Sequence, residues 1–236
     1  TRGGGYGVSY VLVLAPSSVQ EMADFMDLAF TLAFKYRMPA MILSDGVIGQ
    51  MMEKVVLPPV KPRRTEEEIK KECPWATFGR TPDRKPNIIT SLELQPEGME
   101  IRNQKLLKKY ELVKENEVRY ETSQCEDADY LFVAFGRAAR ISAKALALAR
   151  EDGLKVVLFR PITLWPFPEK QLAELAKGKK GMLSVEINAG QMVEDVRLAT
   201  NGAVPVEHFG RLGGIVPDPE EIVVSLKENI KSGRFN

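Results

Sequence analysis

Apolar positions near the start of the chain fall into two patterns. Val11-Leu12-Val13-Leu14 and Ala40-Met41-Ile42-Leu43 are continuous apolar runs without alternation. That is the pattern of parallel strands covered on both faces. Between them, residues 18–37 repeat at helical spacing. Val19, Met22, Ala23, Met26, Phe30 and Ala33 form one apolar stripe; Phe25, Leu28, Ala29, Leu32 and Tyr36 form another. Gln20, Glu21, Asp24, Asp27, Thr31 and Lys35 leave only a narrow polar face. A helix apolar nearly all round is normally buried on more than one side. Ser18 and Glu21 fit a capping box, and Pro39 stops the helix. The expectation is a β-α-β unit over residues 10–43, followed by an Asp45-Gly46 turn into a second helix start. One stripe covers the unit's own sheet. The other needs a further domain or subunit and stays exposed without one.

Roughly fifty residues before Pro58 cannot build a doubly covered sheet alone. The unit is therefore expected to be part of something larger, with a short strand-helix-strand annex on the main domain as the alternative. Thr1-Arg2-Gly3-Gly4-Gly5-Tyr6-Gly7 does not read as a secretion signal.

The pattern then changes. Pro58-Pro59-Val60-Lys61-Pro62-Arg63-Arg64 is a basic, proline-rich connector. Residues 65–73 suit a short charged helix capped by Thr65 and ended by Pro74. Residues 74–96 read as irregular chain with one strand at 87–92, and 101–121 as a helix with Leu106, Leu107, Tyr110 and Val113 on its apolar side. Trp75, Phe78 and Tyr110 predict a connector laid on its neighbours.

From Ala128 onward strands and helices alternate. Strands are expected at 130–135, 156–159, 182–185 and 204–208. Helices are expected at 138–151, 169–176, 191–200 and 219–231. That spacing predicts a parallel α/β domain. The organisation expected is a first unit over 1–57, a wrapping linker over 58–124 and an α/β domain over 125–236.

Composition narrows the function classes. Of 236 residues 44% are hydrophobic, enough for a substantial core, and the net charge of +1 gives no reason to expect nucleic acid. No apolar run reaches the roughly eighteen residues of a membrane span. Cys73 and Cys125 stand far apart, in no metal spacing, and too few to hold an iron–sulfur cluster. A reducing cytoplasm is the simplest compartment. No G-x-G-x-x-G follows a strand, and no Walker A motif or G-x-S-x-G elbow occurs. The single histidine, His208, ends an apolar strand and reads as structural.

Three loops at the carboxyl ends of strands remain, where open α/β sheets take ligands. The first is Ser44-Asp45-Gly46 with Gly49-Gln50, where a plain helix cap by Ser44 or Asp45 competes with a ligand role. The second is Gly136-Arg137, where a helix start and an arginine suit an anion, against an ordinary turn. The third joins Glu186-Ile187-Asn188-Ala189-Gly190 to Gly210-Arg211-Leu212-Gly213-Gly214, which suit either a ligand cleft or a docking surface.

Ala15-Pro-Ser-Ser-Val-Gln-Glu-Met22, Asp45-Gly46 and Gly49-Gln-Met-Met-Glu53 resemble the α subunit of 2-oxoacid:ferredoxin oxidoreductases of the 2-oxoisovalerate and 2-oxoglutarate type. Phe159-Arg-Pro-Ile-Thr-Leu-Trp-Pro-Phe-Pro168, Val185-Glu-Ile-Asn188 and Gly210-Arg-Leu-Gly-Gly214 are similar to that family's transketolase-C-terminal-like domain. The resemblance implies a partial thiamine-diphosphate-binding, pyrimidine-side β-α-β unit followed by that second domain. It implies oxidative decarboxylation of a 2-oxoacid with coenzyme A to an acyl-CoA, with electrons passed to ferredoxin.

Thiamine diphosphate and Mg²⁺ are implied to be shared with a β subunit, and iron–sulfur clusters to sit on other subunits, including a ferredoxin-like one. The glutamate that activates the aminopyrimidine ring is implied to lie upstream of Thr1, so this chain alone is expected to be inactive. Asp45, Gly46 and Gln50 are the expected cofactor-side residues. Arg137, Glu186, Asn188 and Arg211 are the expected partner or ligand loops, and no metal ligand is expected. The alternatives are a non-catalytic docking subunit, or another thiamine enzyme of the transketolase or branched-chain dehydrogenase β-chain type.

Overall fold

A computed structural model describes residue 3 and residues 7–79, 82–123 and 127–235. The first unit is strand β1 (Leu12–Leu14), helix α1 (Val19–Tyr36) and strand β2 (Ala40–Ile42), with β1 and β2 parallel. Helix α1 starts where expected because Ser18 Oγ accepts a hydrogen bond from the Glu21 N–H at 3.1 Å. The other half of the expected capping box is different. The Glu21 carboxylate accepts from Ser17 N–H at 2.7 Å, one residue earlier, and reaches out of the unit. Arg37 closes the helix with left-handed backbone, φ 46°, two residues before Pro39.

The two stripes of α1 part as expected. Phe25, Ala29 and Leu32 are buried, whereas Met26 and Phe30 are 51% and 62% exposed. Strand β1 is wholly buried, but Met41 of β2 is 46% exposed, so the second strand is not covered on both faces in this chain.

The connector carries two helices, α2 (Glu66–Glu72) and α3 (Pro96–Asn116). Thr65 caps α2 in a full capping box with Glu68. The strand expected at 87–92 is absent: Ile88, Ile89 and Leu92 are exposed without a pairing partner strand. The helix expected to 121 ends at Asn116, and Tyr120–Thr122 forms strand β3. Tyr110 is buried, and Trp75 packs on Phe34 with ring centroids 5.8 Å apart.

The second unit holds β4 (Tyr130–Ala134), α4 (Gly136–Glu151), β5 (Val156–Pro161), β6 (Thr163–Trp165), α5 (Glu169–Ala176), β7 (Gly181–Glu186), α6 (Met192–Thr200), β8 (Val206–Gly210) and α7 (Pro219–Lys231). Its five-stranded sheet runs β3-β5-β4-β7-β8, parallel except for the antiparallel edge strand β3. Helices α4 and α7 bury Ala138, Ala145, Ala149, Ile222 and Leu226 on one face. Helices α5 and α6 bury Leu172, Ala176, Met192 and Val196 on the other. Near-continuous apolar strands are what such double cover requires.

Strand β6 has no strand pattern of its own in the sequence. It leaves the second unit and pairs antiparallel with β1, placing Val13 opposite Trp165. Tyr10 stacks on Trp165 at 4.8 Å and Tyr110 packs edge-on to both rings, so the two sheets are joined by an aromatic seam.

Candidate functional site

The amino end of α1 is tied by side chains from distant parts of the chain. Its first-turn N–H groups have no partners within the helix and need acceptors from outside it. Ser17 N–H goes to Glu21, Glu21 N–H to Ser18, and Val19 N–H to Glu53 at 3.0 Å. Glu53 is 34 positions further along the chain, at the end of the loop that follows β2. Gln20 binds the same strand of chain, accepting from Val56 N–H at 2.8 Å and donating to its carbonyl at 3.0 Å.

Both carboxylates are gripped by arginines of the second unit. Arg160 of β5 donates through Nη1 to Glu21 Oε1 at 2.9 Å and through Nη2 to Glu21 Oε2 at 2.5 Å. It also donates to Glu121 at 2.8 Å and to the Ala15 carbonyl at 3.4 Å. Arg140 of α4 donates to Glu53 at 2.7 Å and to the Ser17 carbonyl at 3.3 Å. A two-bond arginine–carboxylate fork fixes orientation as well as distance.

Burial alone would push the Glu21 carboxyl up. The Arg160 and Ser17 hydrogen bonds outweigh it and hold the group below the ordinary carboxylate value. The Val19 N–H and Arg140 hold Glu53 down likewise. A cavity of about 360 Å³ lined by Ser17, Ser123, Arg140 and Arg160 adjoins the clamp. Its arginines are already paired with carboxylates, so it offers an incoming anion no free cation.

The expected site residues divide. Asp45 spends its carboxylate on its own loop, accepting from Val47 and Ile48 N–H at 2.9 and 3.1 Å, the cap reading of this turn. Gly46 and Gln50 lie exposed beside it at the carboxyl end of β2, and a Cβ at Gly46 or Gly49 would meet nothing within 4 Å. Arg137 makes no hydrogen bond or ion pair to a described residue. The arginine that acts is Arg140, almost one turn on.

Glu186, Asn188 and Arg211 do come together, because Glu186 and Gly210 are register partners at the ends of β7 and β8. Glu186 is fully buried and accepts from Gln191, Met192 and Val193 N–H at 3.1, 2.8 and 2.9 Å, capping α6. Asn188 Oδ1 accepts from Gly190 N–H at 2.7 Å, and Arg211 pairs with Glu221 at 3.2 Å. His208 Nε2 lies 3.9 Å from Glu186. Gly210 is required here, since a Cβ would stand 2.4 Å from the Asn188 carbonyl oxygen. The Glu186 and Asn188 oxygens are spent on backbone N–H groups of this corner, whereas His208 Nε2 and Arg211 Nε are buried without a hydrogen-bond partner among the described residues.

Among the described residues no group of three or more His, Cys, Asp or Glu is placed to hold a metal ion. Cys73 is a buried free thiol, and Cys125 lies outside the described residues. With Asp45 occupied and the 44–50 loop open, the residues present do not by themselves fit a complete thiamine diphosphate and magnesium site. No described helix is long and apolar enough to cross a membrane.

A β-α-β unit tied at a helix amino end to a doubly covered parallel sheet is a two-part α/β architecture. Residues 9–122 match the family model for the thiamine-diphosphate-binding domain of pyruvate flavodoxin/ferredoxin oxidoreductase. Residues 128–222 match core domain II of pyruvate:ferredoxin oxidoreductase. The chain belongs to the 2-oxoacid:ferredoxin oxidoreductase family.

Within it, the chain is 44% identical over 227 residues to ketoisovalerate oxidoreductase subunit VorB of Methanothermobacter marburgensis, covering 96% of this chain and 62% of that protein. It is 33% identical over 238 residues to 2-oxoglutarate synthase subunit KorA of Methanocaldococcus jannaschii, covering 94% of this chain and 64% of that one. The chain thus spans less than two thirds of the length of these relatives. The 2-oxoglutarate:ferredoxin oxidoreductase of Magnetococcus marinus, solved with 2-oxoglutarate, coenzyme A and succinyl-CoA bound, superposes with a TM-score of 0.77 at 25% identity, over 96% of this chain and 43% of that one. A split-gene transketolase shares the fold at 13% identity and a TM-score of 0.51.

Proposed function

We propose that this chain serves as the α-type subunit of a 2-oxoacid:ferredoxin oxidoreductase acting on branched-chain 2-oxoacids such as 2-ketoisovalerate. The observation that carries the substrate is the 44% identity to a ketoisovalerate oxidoreductase subunit, against 31–33% to the 2-oxoglutarate synthase subunits. The reaction is oxidative decarboxylation with coenzyme A to an acyl-CoA, reducing ferredoxin. Thiamine diphosphate and Mg²⁺ are shared with a β subunit, and the iron–sulfur clusters belong to other subunits. The open 44–50 loop, with Gly46 and Gln50 uncovered, is the part of this chain that faces the cofactor. Arg137, without a partner among the described residues, faces a neighbouring subunit. The units are 1–57, 58–124 and 125–236; the family matches, which change over between 122 and 128, support only the second of these boundaries.

The test is co-expression with the neighbouring subunits, followed by CoA-dependent viologen reduction over a panel of 2-oxoacids. Branched-chain substrates are expected to give the highest kcat/KM. Preference for 2-oxoglutarate or pyruvate overturns the substrate. Turnover by the chain alone overturns its role as an incomplete part of the active site.

A further inference from the structure

Open α/β sheets take ligands outside the carboxyl ends of their strands, next to the point where strand order reverses. In the second unit that reversal is at β4, which lies between β5 and β7. The place is filled by the chain's own first unit. A Cβ on Gly136, the first residue of α4, would come within 3.6 Å of the Pro16 carbonyl oxygen. Arg160 at the end of β5 holds Ala15 and Glu21, and Arg140 in α4 holds Ser17 and Glu53.

We propose that Arg140 and Arg160 are positioning residues: through Glu53 and Glu21 the second unit sets the place of α1's amino end and of the 45–53 loop. Three observations carry it. Glu53 is a distant loop residue capping another element's first turn, so the loop's end cannot shift without uncapping α1. The same carboxylate takes its second bond from the other unit, 87 positions on. And Gln20 binds both the N–H and the carbonyl of Val56, so the loop is held beyond Glu53 as well. A displacement of the second unit relative to the first therefore draws the loop with it. The role of that loop in the reaction rests on the proposed function above; the clamp itself does not.

The experiment is amide hydrogen exchange on the purified full chain, comparing the wild type with Arg140→Met, Arg140→Lys and Glu53→Gln. Arg140→Met is expected to speed exchange over residues 17–21 and 45–56 about threefold to tenfold, the range of one partly exposed charge-assisted bond. Helices α5 and α6 should stay unchanged. Arg140→Lys restores protection in part, and the double variant Arg140→Met/Glu53→Gln is no worse than the worse single one. Unchanged exchange in 45–56, or an equal rise throughout the chain, overturns the clamp.

In the complex assembled with its partner subunits, Arg140→Met lowers kcat several-fold with little change in substrate KM, and Arg140→Lys recovers part of it. Faster exchange with unaltered kcat overturns the positioning role. A wild-type complex inactive toward every 2-oxoacid overturns the proposed function, and the exchange result is read independently of it.

Discussion

Arg160 and Glu21 stand 139 positions apart and meet through two hydrogen bonds of 2.9 and 2.5 Å, with the arginine side chain 9% exposed. The pair joins the end of a strand in one sheet to the first turn of a helix on another. Removing the arginine leaves Glu21 charged and four-fifths buried, together with Glu121 and the Ala15 carbonyl without their donor. Arg160→Met should therefore cost about 2–4 kcal/mol in urea unfolding, since breaking a buried pair strands the surviving charge. Arg160→Lys keeps the charge, loses the fork and should fall between. A loss under about 0.5 kcal/mol for Arg160→Met would show the fork to be a surface contact.

The pH dependence of stability follows from three carboxylates. Glu117, 3% exposed, accepts from Lys35 at 2.7 Å, Tyr36 at 2.6 Å and Arg119 at 3.0 Å. Burial pushes it up and those three donors bring it below the ordinary value of 4.5, as Arg160 and Ser17 do for Glu21 and Val19 N–H and Arg140 for Glu53. Each group has a lower pKa folded than unfolded. Its contribution is fully present above the unfolded value and is lost as pH falls through the folded one. Thermal midpoints should hold steady from neutrality to near pH 5 and drop below about pH 4.5. Glu117→Gln should lower the midpoint at pH 7 and flatten the acid limb. A parallel acid limb in that variant would remove Glu117 from the account.

How far the fold was legible shows in particular elements. Helices 169–176 and 219–231 have the bounds expected from the sequence because their starts are local: Pro168 precedes one, and Asp218, Pro219 and Glu221 begin the other. Strands β3 and β6 were missed because neither repeats a pattern of its own. Each has three residues, and each exists through a partner far along the chain. The strand expected at 87–92 had the composition but found no neighbour. At the site, Glu21 and Glu53 sat inside the stretches that carried the family resemblance, yet their partners did not announce themselves. Arg140 is one cation in an alanine-rich helix, and only the fold brings it to Glu53. Spacing pointed to Arg137 instead, since a helix start says where an anion could sit and not which side chain turns towards it.

Glu186 offers a test between capping and ligand binding. Its carboxylate takes three N–H groups of α6 and the Ser184 hydroxyl at 3.1 Å, and it is fully buried. Glu186→Ala should cost about 2–3 kcal/mol, above the usual cap because several buried donors lose one acceptor. The loss should appear first as faster exchange at Met192 and Val193. Glu186→Gln retains an acceptor and should recover roughly half. If Glu186→Ala left α6 protected and stability unchanged, the carboxylate would be free for another task.

The exposed stripe of α1 separates stability from assembly. Phe30 at 62% and Met26 at 51% exposure contribute little to the isolated chain. Phe30→Glu and Met26→Lys should each change its unfolding free energy by no more than about 0.5 kcal/mol. An apolar helix face of this kind left uncovered is the mark of a contact made elsewhere. Under the proposed function the same substitutions should weaken co-purification with the partner subunits and lower 2-oxoacid-dependent viologen reduction in proportion. Phe25→Glu, on the buried stripe, is the contrast: it should unfold the first unit whether or not a partner is present. If Phe30→Glu assembled and turned over like the wild type, α1 would not be where the partner sits. The open edge of β2, with Met41 exposed, would then be the next surface to alter.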